Sequence, residues 1–188
     1  TQPMPAMPLY FWNDPEGRRY RDSYFEQYPG RWRHGDWIRF TPEGTSVIYG
    51  RSDTTINRLG IRMGTAEIYR VVEALPEVRD SLVVDLEYLG RPSFMPLFVV
   101  LATGAALDDA LKTRIAHVIR TQASPRHVPD EIHAIAHVPT TLSGKKLELP
   151  VKRILLGADV DAVASPGSLA HPDSLSDVAA IAARRRAS

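Results

Sequence analysis

Residues 65–76, TAEIYRVVEALP, place Ile68, Val71, Val72 and Leu75 at i, i+3, i+4 and i+7, the rhythm of a helix with one apolar face. Thr65 is placed to cap this helix, Glu67 sits in its first turn where the helix dipole favours a carboxylate, and Pro76 closes it. A single apolar stripe has to be buried against another element, so the segments on either side decide the architecture. After it come SLVVDLEY (81–88), read as a strand, and FMPLFVVLA (94–102), a second strand whose unbroken apolar run implies burial on both faces. Pro96 marks an edge or a start in that second strand.

Beyond the strands, a second helix is expected from Asp108 with Leu111, Ile115, Val118 and Ile119 inward, stopped by SPRHVP (124–129). EIHAIAHV (131–138) alternates as a third strand. A last helix buries Leu147, Val151, Ile154 and Leu155 and tolerates Pro150 only near its first turn. The order helix, strand, strand, helix, strand, helix is that of a small open α+β sandwich, a three-stranded sheet with helices plus a small hairpin.

On the N-terminal side, TTINRLGIRMGT (54–65) reads as a small hairpin or loop, with Gly60 and Gly64 where a side chain would be awkward. Residues 1–50 are rich in aromatics, Pro and Gly and show no useful helical period. They read as loops and short strands, with one clear hairpin of DWIRF and TSVIY around TPEG. After Gly157 the composition turns to Ala, Ser, Pro and Asp, which suggests a linker or loosely docked arm. Ser174 could cap a short helix ending in three arginines, marginal unless it docks. The expected domains are therefore a β-rich remnant of a larger domain over 1–52, an α+β domain over 53–156, and an extension over 157–188.

Composition excludes several functions. Lys plus Arg (23) nearly balances Asp plus Glu (22) in 188 residues, which argues against nucleic acid or an anionic membrane as partner. No apolar run reaches the length of a bilayer span. Without cysteine there is no disulfide and no thiolate metal site, which suits a reducing cytoplasm, the expected location. A chain that starts at Thr1 with no secretory leader reads as a fragment of something longer.

The chemistry concentrates in VPTTLSGKKLEL (138–149), where Ser143 and Gly144 precede the adjacent Lys145 and Lys146, with no acid directly beside either lysine. This is no nucleotide P-loop, because Pro139 stands where its first Gly should be and no Ser or Thr follows the lysines. Two solvated lysines ahead of a helix are the plain alternative. A lysine after a Ser-Gly turn can also reach into a neighbouring cleft, where its charge beside a phosphate oxygen is worth about 4 kcal/mol at intermediate dielectric. His133 and His137 would share a strand face, but no third ligand has metal-site spacing, so they read as structural. The carboxylates Asp22 with Glu26 and Asp108 with Asp109 do not make a convincing glycosidase pair; the latter is better explained as a helix start.

Three separated stretches, RHGDW (33–37), YGRSDTTINRLGIRMGTAEIY (49–69) and PTTLSGKK (139–146), resemble in order and spacing the last motifs of the AMP-forming acyl- and aryl-acid synthetases. The details of 7–37, MGTAEIYRVVE and SPRHVPDEI look most like the acetoacetyl-CoA synthetase branch, and the resemblance covers nearly the whole chain. It implies the C-terminal part of a ligase that makes acetoacetyl-AMP and pyrophosphate from acetoacetate and MgATP, then passes the acyl group to CoA, with no prosthetic group and no bound metal. The fragment alone would be inactive without the large N-terminal domain of the same chain.

Residue by residue, the resemblance implies that Asp36 accepts hydrogen bonds from the ATP ribose and that Arg51 and Arg62 bind nucleotide. Asp53 becomes the hinge, and Arg58, Leu59 and Gly60 line the CoA channel, with Asn57 holding that loop together. Lys145 is the catalytic lysine, open to silencing by a lysine acetyltransferase; Lys146 inherits no role, and His34 departs from the usual small hydroxyl residue. A synthetase for another short acid, or a non-catalytic interaction module of the same fold, remain open beside this reading.

Overall fold

The computed structural model describes residues 7–52, 56–58, 61–86 and 93–187. Two compact units divide between Asp36 and Trp37.

In the first unit, aromatic rings pack together, Phe11 edge-on against Tyr20 and Tyr24, and Tyr24 tilted against Trp32. The sequence reading expected loops and strands here. Instead the unit contains helix α1, Arg18–Tyr24. Its start is held by the Asp14 carboxylate, which accepts from the Arg19 and Tyr20 amides at 3.2 and 2.9 Å. Gly17 before it has φ of 63°, a left-handed turn that glycine adopts without Cβ strain.

The second unit begins one residue into the expected hairpin of β1 (Asp36–Phe40) and β2 (Ser46–Arg51), and β2 contacts the first helix of this unit. All of this hairpin after Asp36 sits on the C-terminal side of the division. A second hairpin pairs β3 (Ile56–Arg58) with β4 (Ile61–Met63), Asn57 opposite Arg62. Helix α2, Thr65–Val72, follows with Ile68, Val71 and Val72 buried. Gly64 occupies its cap position with no side-chain cap, and Thr65, expected to cap, is the buried first residue of the helix.

The main sheet has the order β5–β6–β7, with β5 (Val78–Val83) antiparallel and β7 (Glu131–Ala134) parallel to the central β6 (Pro96–Leu101). Pro96, whose missing N–H would break a central ladder, stands at the first residue of β6. Strand β5 starts three residues earlier than expected because pairing already begins at Val78, which faces Leu101. The parallel connection from β6 to β7 runs through α3, Asp109–Gln122, whose N-cap Asp108 accepts from the Leu111 amide at 2.8 Å.

Side chains of β6 alternate between two cores. Leu97 and Val99 join Ile68, Val71, Val72, Leu111, Ile115 and Ile119, so α2 and α3 cover one face. Phe98 joins Val151, Ile154 and Leu155 of α4 (Glu148–Leu155) on the other. The same second core contains Leu169, Leu175, Val178, Ile181 and Ala182. The residues after Gly157 are therefore no loose arm: they form α5 (Val160–Val163) and a 14-residue helix α6 (Ser174–Ala187) that completes the cover of the sheet. Arg185 adds a cation over the Phe94 ring at 3.6 Å. A strand apolar on both faces demands this second layer.

Leu175 is fully buried. Leu175→Ala is expected to lower unfolding free energy by about 2 to 5 kcal/mol, read as a fall in urea midpoint, because the cavity it leaves lies within the core shared with α4. An unchanged midpoint would show that α6 does not belong to the folded core.

Candidate active site

The lysine stretch folds as a tight turn. Thr140 pairs with Lys146 in an antiparallel bridge, the Thr141 amide donates to the Lys145 carbonyl at 2.9 Å, and the Lys145 amide donates to Thr141 Oγ1 at 3.1 Å. At the tip, Ser143 Oγ lies 3.0 Å from Thr141 Oγ1, and Gly144 takes φ of 80° with open space where a Cβ would stand. Glycine is thus required by backbone conformation, not by crowding. Ser143 and Gly144 thus close a hydrogen-bonded turn. The extension steadies it from outside, the Leu142 amide donating to the Ser168 carbonyl at 3.2 Å and the Ala170 amide to the Thr140 carbonyl at 3.0 Å.

The two lysines part company on this turn. Lys145 is exposed, and among the described residues its side chain has no ion-pair partner. Lys146 is the opposite case, although the sequence offers no acid beside it. Its ammonium lies 2.7 Å from Glu73 Oε1, 2.7 Å from Asp80 Oδ1 and 2.6 Å from the Ser81 carbonyl, and 4.1 Å from the centroid of the Tyr69 ring. Buried Ser81 fixes Glu73, donating through both its amide (3.1 Å) and its hydroxyl (2.8 Å). The Tyr69 hydroxyl in turn donates to Glu148 Oε1 at 2.5 Å. Desolvation first, and the Glu148 carboxylate second, push the Tyr69 phenol well above its ordinary value.

Of the other sequence-predicted residues, Asp36 closes the first compact unit and pairs with His34 Nδ1. His34, flagged as a departure from the family pattern, thereby acquires a partner. Arg58 donates to the Val128 carbonyl and to Asp130 Oδ1, both at 2.6 Å, while Asp130 Oδ2 accepts from the Met95 amide at 2.7 Å. Its guanidinium ties the β3–β4 hairpin to the sheet's edge. Close by in sequence, buried His127 links Glu67 Oε2 (2.8 Å) to Ser124 Oγ (2.7 Å), fastening α2 to the turn after α3. Arg51 and Arg62 lie in β2 and β4, their side chains outside the described residues, as is the side chain of Asn57; Asp53, Leu59 and Gly60 lie outside them entirely. His133 pairs with Glu131 and His137 stacks on His171, and among the described residues no group of three or more acidic or histidine side chains could hold a metal ion. No helix among them is long and apolar enough to cross a membrane.

Comparison with known proteins gives this architecture a class. The amide bond synthetase McbA from Marinactinospora thermotolerans is 23% identical, and with a TM-score of 0.60 over 77% of this chain and 28% of that one it shares the fold. Mixed helices and strands with a small three-stranded sheet and a hairpin make this the fold of the C-terminal domain of adenylate-forming enzymes. Within that class the chain is homologous to the C-terminal part of proteins named acetoacetyl-CoA synthetase. The structure of the one from Streptomyces lividans is 55% identical, TM-score 0.88, covering 97% of this chain and 27% of that one. The one from Rhizobium meliloti is 45% identical over 175 residues, 93% of this chain. The chain spans about a quarter of the length of these relatives, 26% of the latter. No family model matches it.

Tyr69→Phe is expected to cost about 1.5 to 3 kcal/mol of stability near neutral pH, the worth of a hydrogen bond to a charged carboxylate. A raised phenol value means the folded state holds its proton more tightly, so this contribution is complete below the ordinary value of 10.0 and is lost as pH rises through the higher folded value. Denaturation curves should therefore show the gap between wild type and variant narrowing above about pH 10.

Proposed function

We propose that this chain is the C-terminal part of an AMP-forming acid–thiol ligase that joins acetoacetate to CoA. The observation that carries this reading is an exposed lysine, Lys145, presented on a formed turn in a chain so similar to acetoacetyl-CoA synthetases. In the first half-reaction a carboxylate oxygen of acetoacetate attacks the α-phosphorus of ATP. The bond to the bridging oxygen breaks, and pyrophosphate leaves with its Mg²⁺. The Lys145 ammonium lies between the substrate carboxylate and the α-phosphate and stabilises the negative charge gathering there. In the second half-reaction the CoA sulfur attacks the acyl carbon, AMP departs, and the thiol proton passes to solvent.

Asp36 holds the ribose hydroxyls, and its pairing with His34 sets the orientation of the carboxylate. Arg51 and Arg62 contact the nucleotide. Asp53 is the hinge about which the small domain, 53–156 with its extension, turns between half-reactions, withdrawing Lys145 and bringing Leu59 and Gly60 to the acyl-adenylate. Arg58 anchors the base of that CoA loop through Asp130. Residues 1–52 belong to the end of a large domain, a reading favoured by the exposed side chains of Trp12, Phe40 and Ile48, apolar surface of the kind that another domain covers. An exposed amine at position 145 also suits a lysine acetyltransferase as a regulator, since acetylation removes the charge on which adenylation depends. A cytoplasmic location accords with these substrates.

In the full-length ligase, Lys145→Ala is expected to slow adenylation, followed as pyrophosphate release, by about 100-fold or more while sparing thioester formation from supplied acetoacetyl-AMP. Gly60→Leu should do the reverse by obstructing the thiol's approach. Equal loss of both steps in the lysine variant would refute the division of labour, and pyrophosphate release from a panel of short acids with acetoacetate no better than the rest would remove acetoacetate as the substrate.

A further inference from the structure

We propose that Lys146 is a positioning residue for adenylation: its ammonium plugs a socket of Glu73, Asp80, the Ser81 carbonyl and the Tyr69 ring, and this fixes the direction in which Lys145 projects. The inference rests on the reading of Lys145 as the cation of the first half-reaction and deepens it. Successive side chains of an extended segment leave the backbone on opposite sides. Lys146 occupies an extended, bridge-paired position opposite Thr140, so anchoring its side chain inward turns the neighbouring Lys145 outward.

The socket is built, not incidental. Its acceptors come from two elements, Glu73 at the end of α2 and Asp80 and Ser81 in β5. Glu73 is itself held by two hydrogen bonds from fully buried Ser81. Two carboxylates face one ammonium, so the socket stays attractive to a cation and becomes self-repelling when emptied. The face of Tyr69 completes it, and the same ring reaches through its hydroxyl to Glu148, two residues beyond the lysine, so that both ends of the segment 146–148 are fastened to α2. Among the described residues Lys145, by contrast, is held through its backbone alone, to Thr141. Its four-carbon stem begins from a fixed point and is otherwise unconstrained. A small rotation of the turn would carry the ammonium away from the α-phosphate, and displacements of that size near reacting atoms cost about 100-fold in rate.

The test uses the full-length ligase and two independent readouts. The first is limited labelling of lysine amines by an acylating reagent with mass-spectrometric mapping. Lys145 is expected to react at least about tenfold faster than Lys146, and the double variant Glu73→Gln with Asp80→Asn to erase most of that difference. The second is kinetic. Lys146→Met is expected to lower kcat for adenylation by about 10- to 100-fold with KM for ATP changed less than about threefold, leaving thioester formation from supplied acyl-adenylate within about threefold. Lys146→Arg, which keeps a cation able to meet both carboxylates, should recover most of the rate.

Equal labelling of the two lysines in the wild type overturns the socket. So does a Lys146→Met enzyme with normal adenylation while Lys145→Ala has none, an outcome that leaves the role of Lys145 standing. Loss of both half-reactions in equal measure, unrelieved by arginine, would reduce Lys146 to a residue that merely holds the fold. If Lys145→Ala adenylates normally, the reading of the site falls and this inference falls with it, whatever the labelling shows.

Discussion

Strand β6 cannot face water on either side, and that constraint organises everything around it. Leu97 and Val99 point to one core and Phe98 to the other, all three fully buried. A sheet of three strands has no spare width to shield such a centre, so helices must close both faces. The pair α2 and α3 does so on one side, and α4 with α6 on the other. The lysine turn is the link between β7 and α4, and it therefore leaves the sheet where one layer hands over to the next.

That position explains how two adjacent lysines come to differ so sharply. The turn crosses beside the junction of α2 and β5, where Glu73 and Asp80 stand ready for one cation. Accommodating a single ammonium there draws one of the pair partly out of solvent and leaves the other displayed. Ion pairs at protein surfaces contribute little when isolated, but here one carboxylate is fixed by buried Ser81 and the ammonium is part-covered by an aromatic ring, which makes the arrangement geometrically specific.

Much of this frame was legible in the amino-acid sequence. The stripes of α2 and α3, the Asp108 cap, the double-sided run of β6 and the turn around Gly144 all act through neighbours within a few residues, and local chemistry suffices to read them. The docking of helix α6 escaped, though the helix itself was expected from Ser174, because alanines dilute its stripe: Leu175, Val178, Ile181 and Ala182 mean little until a sheet face is seen to need covering. Helix α1 escaped because it has no buried residues; Asp14 and ring contacts hold it. The partners of Lys146 escaped for a different reason. Ser81 and Glu73 lie 65 and 73 residues away in the chain, beyond the reach of any pattern in the loop itself. Arg58 was singled out as a channel residue, yet its bonds to Val128 and Asp130, again some seventy positions distant, were invisible in the hairpin's own sequence.

The backbone pairing of Thr140–Leu142 with Ser168–Ala170 has an implication for anyone who handles this polypeptide. The 31 residues after Gly157 look dispensable by composition, and an expression boundary drawn there would be tempting. Such a cut would strip amide partners from the very ribbon that displays the cation, while uncovering a greasy sheet face prone to clumping. Lost turnover in a shortened product would then reflect a missing buttress, and should not be mistaken for proof that catalysis resides in the tail.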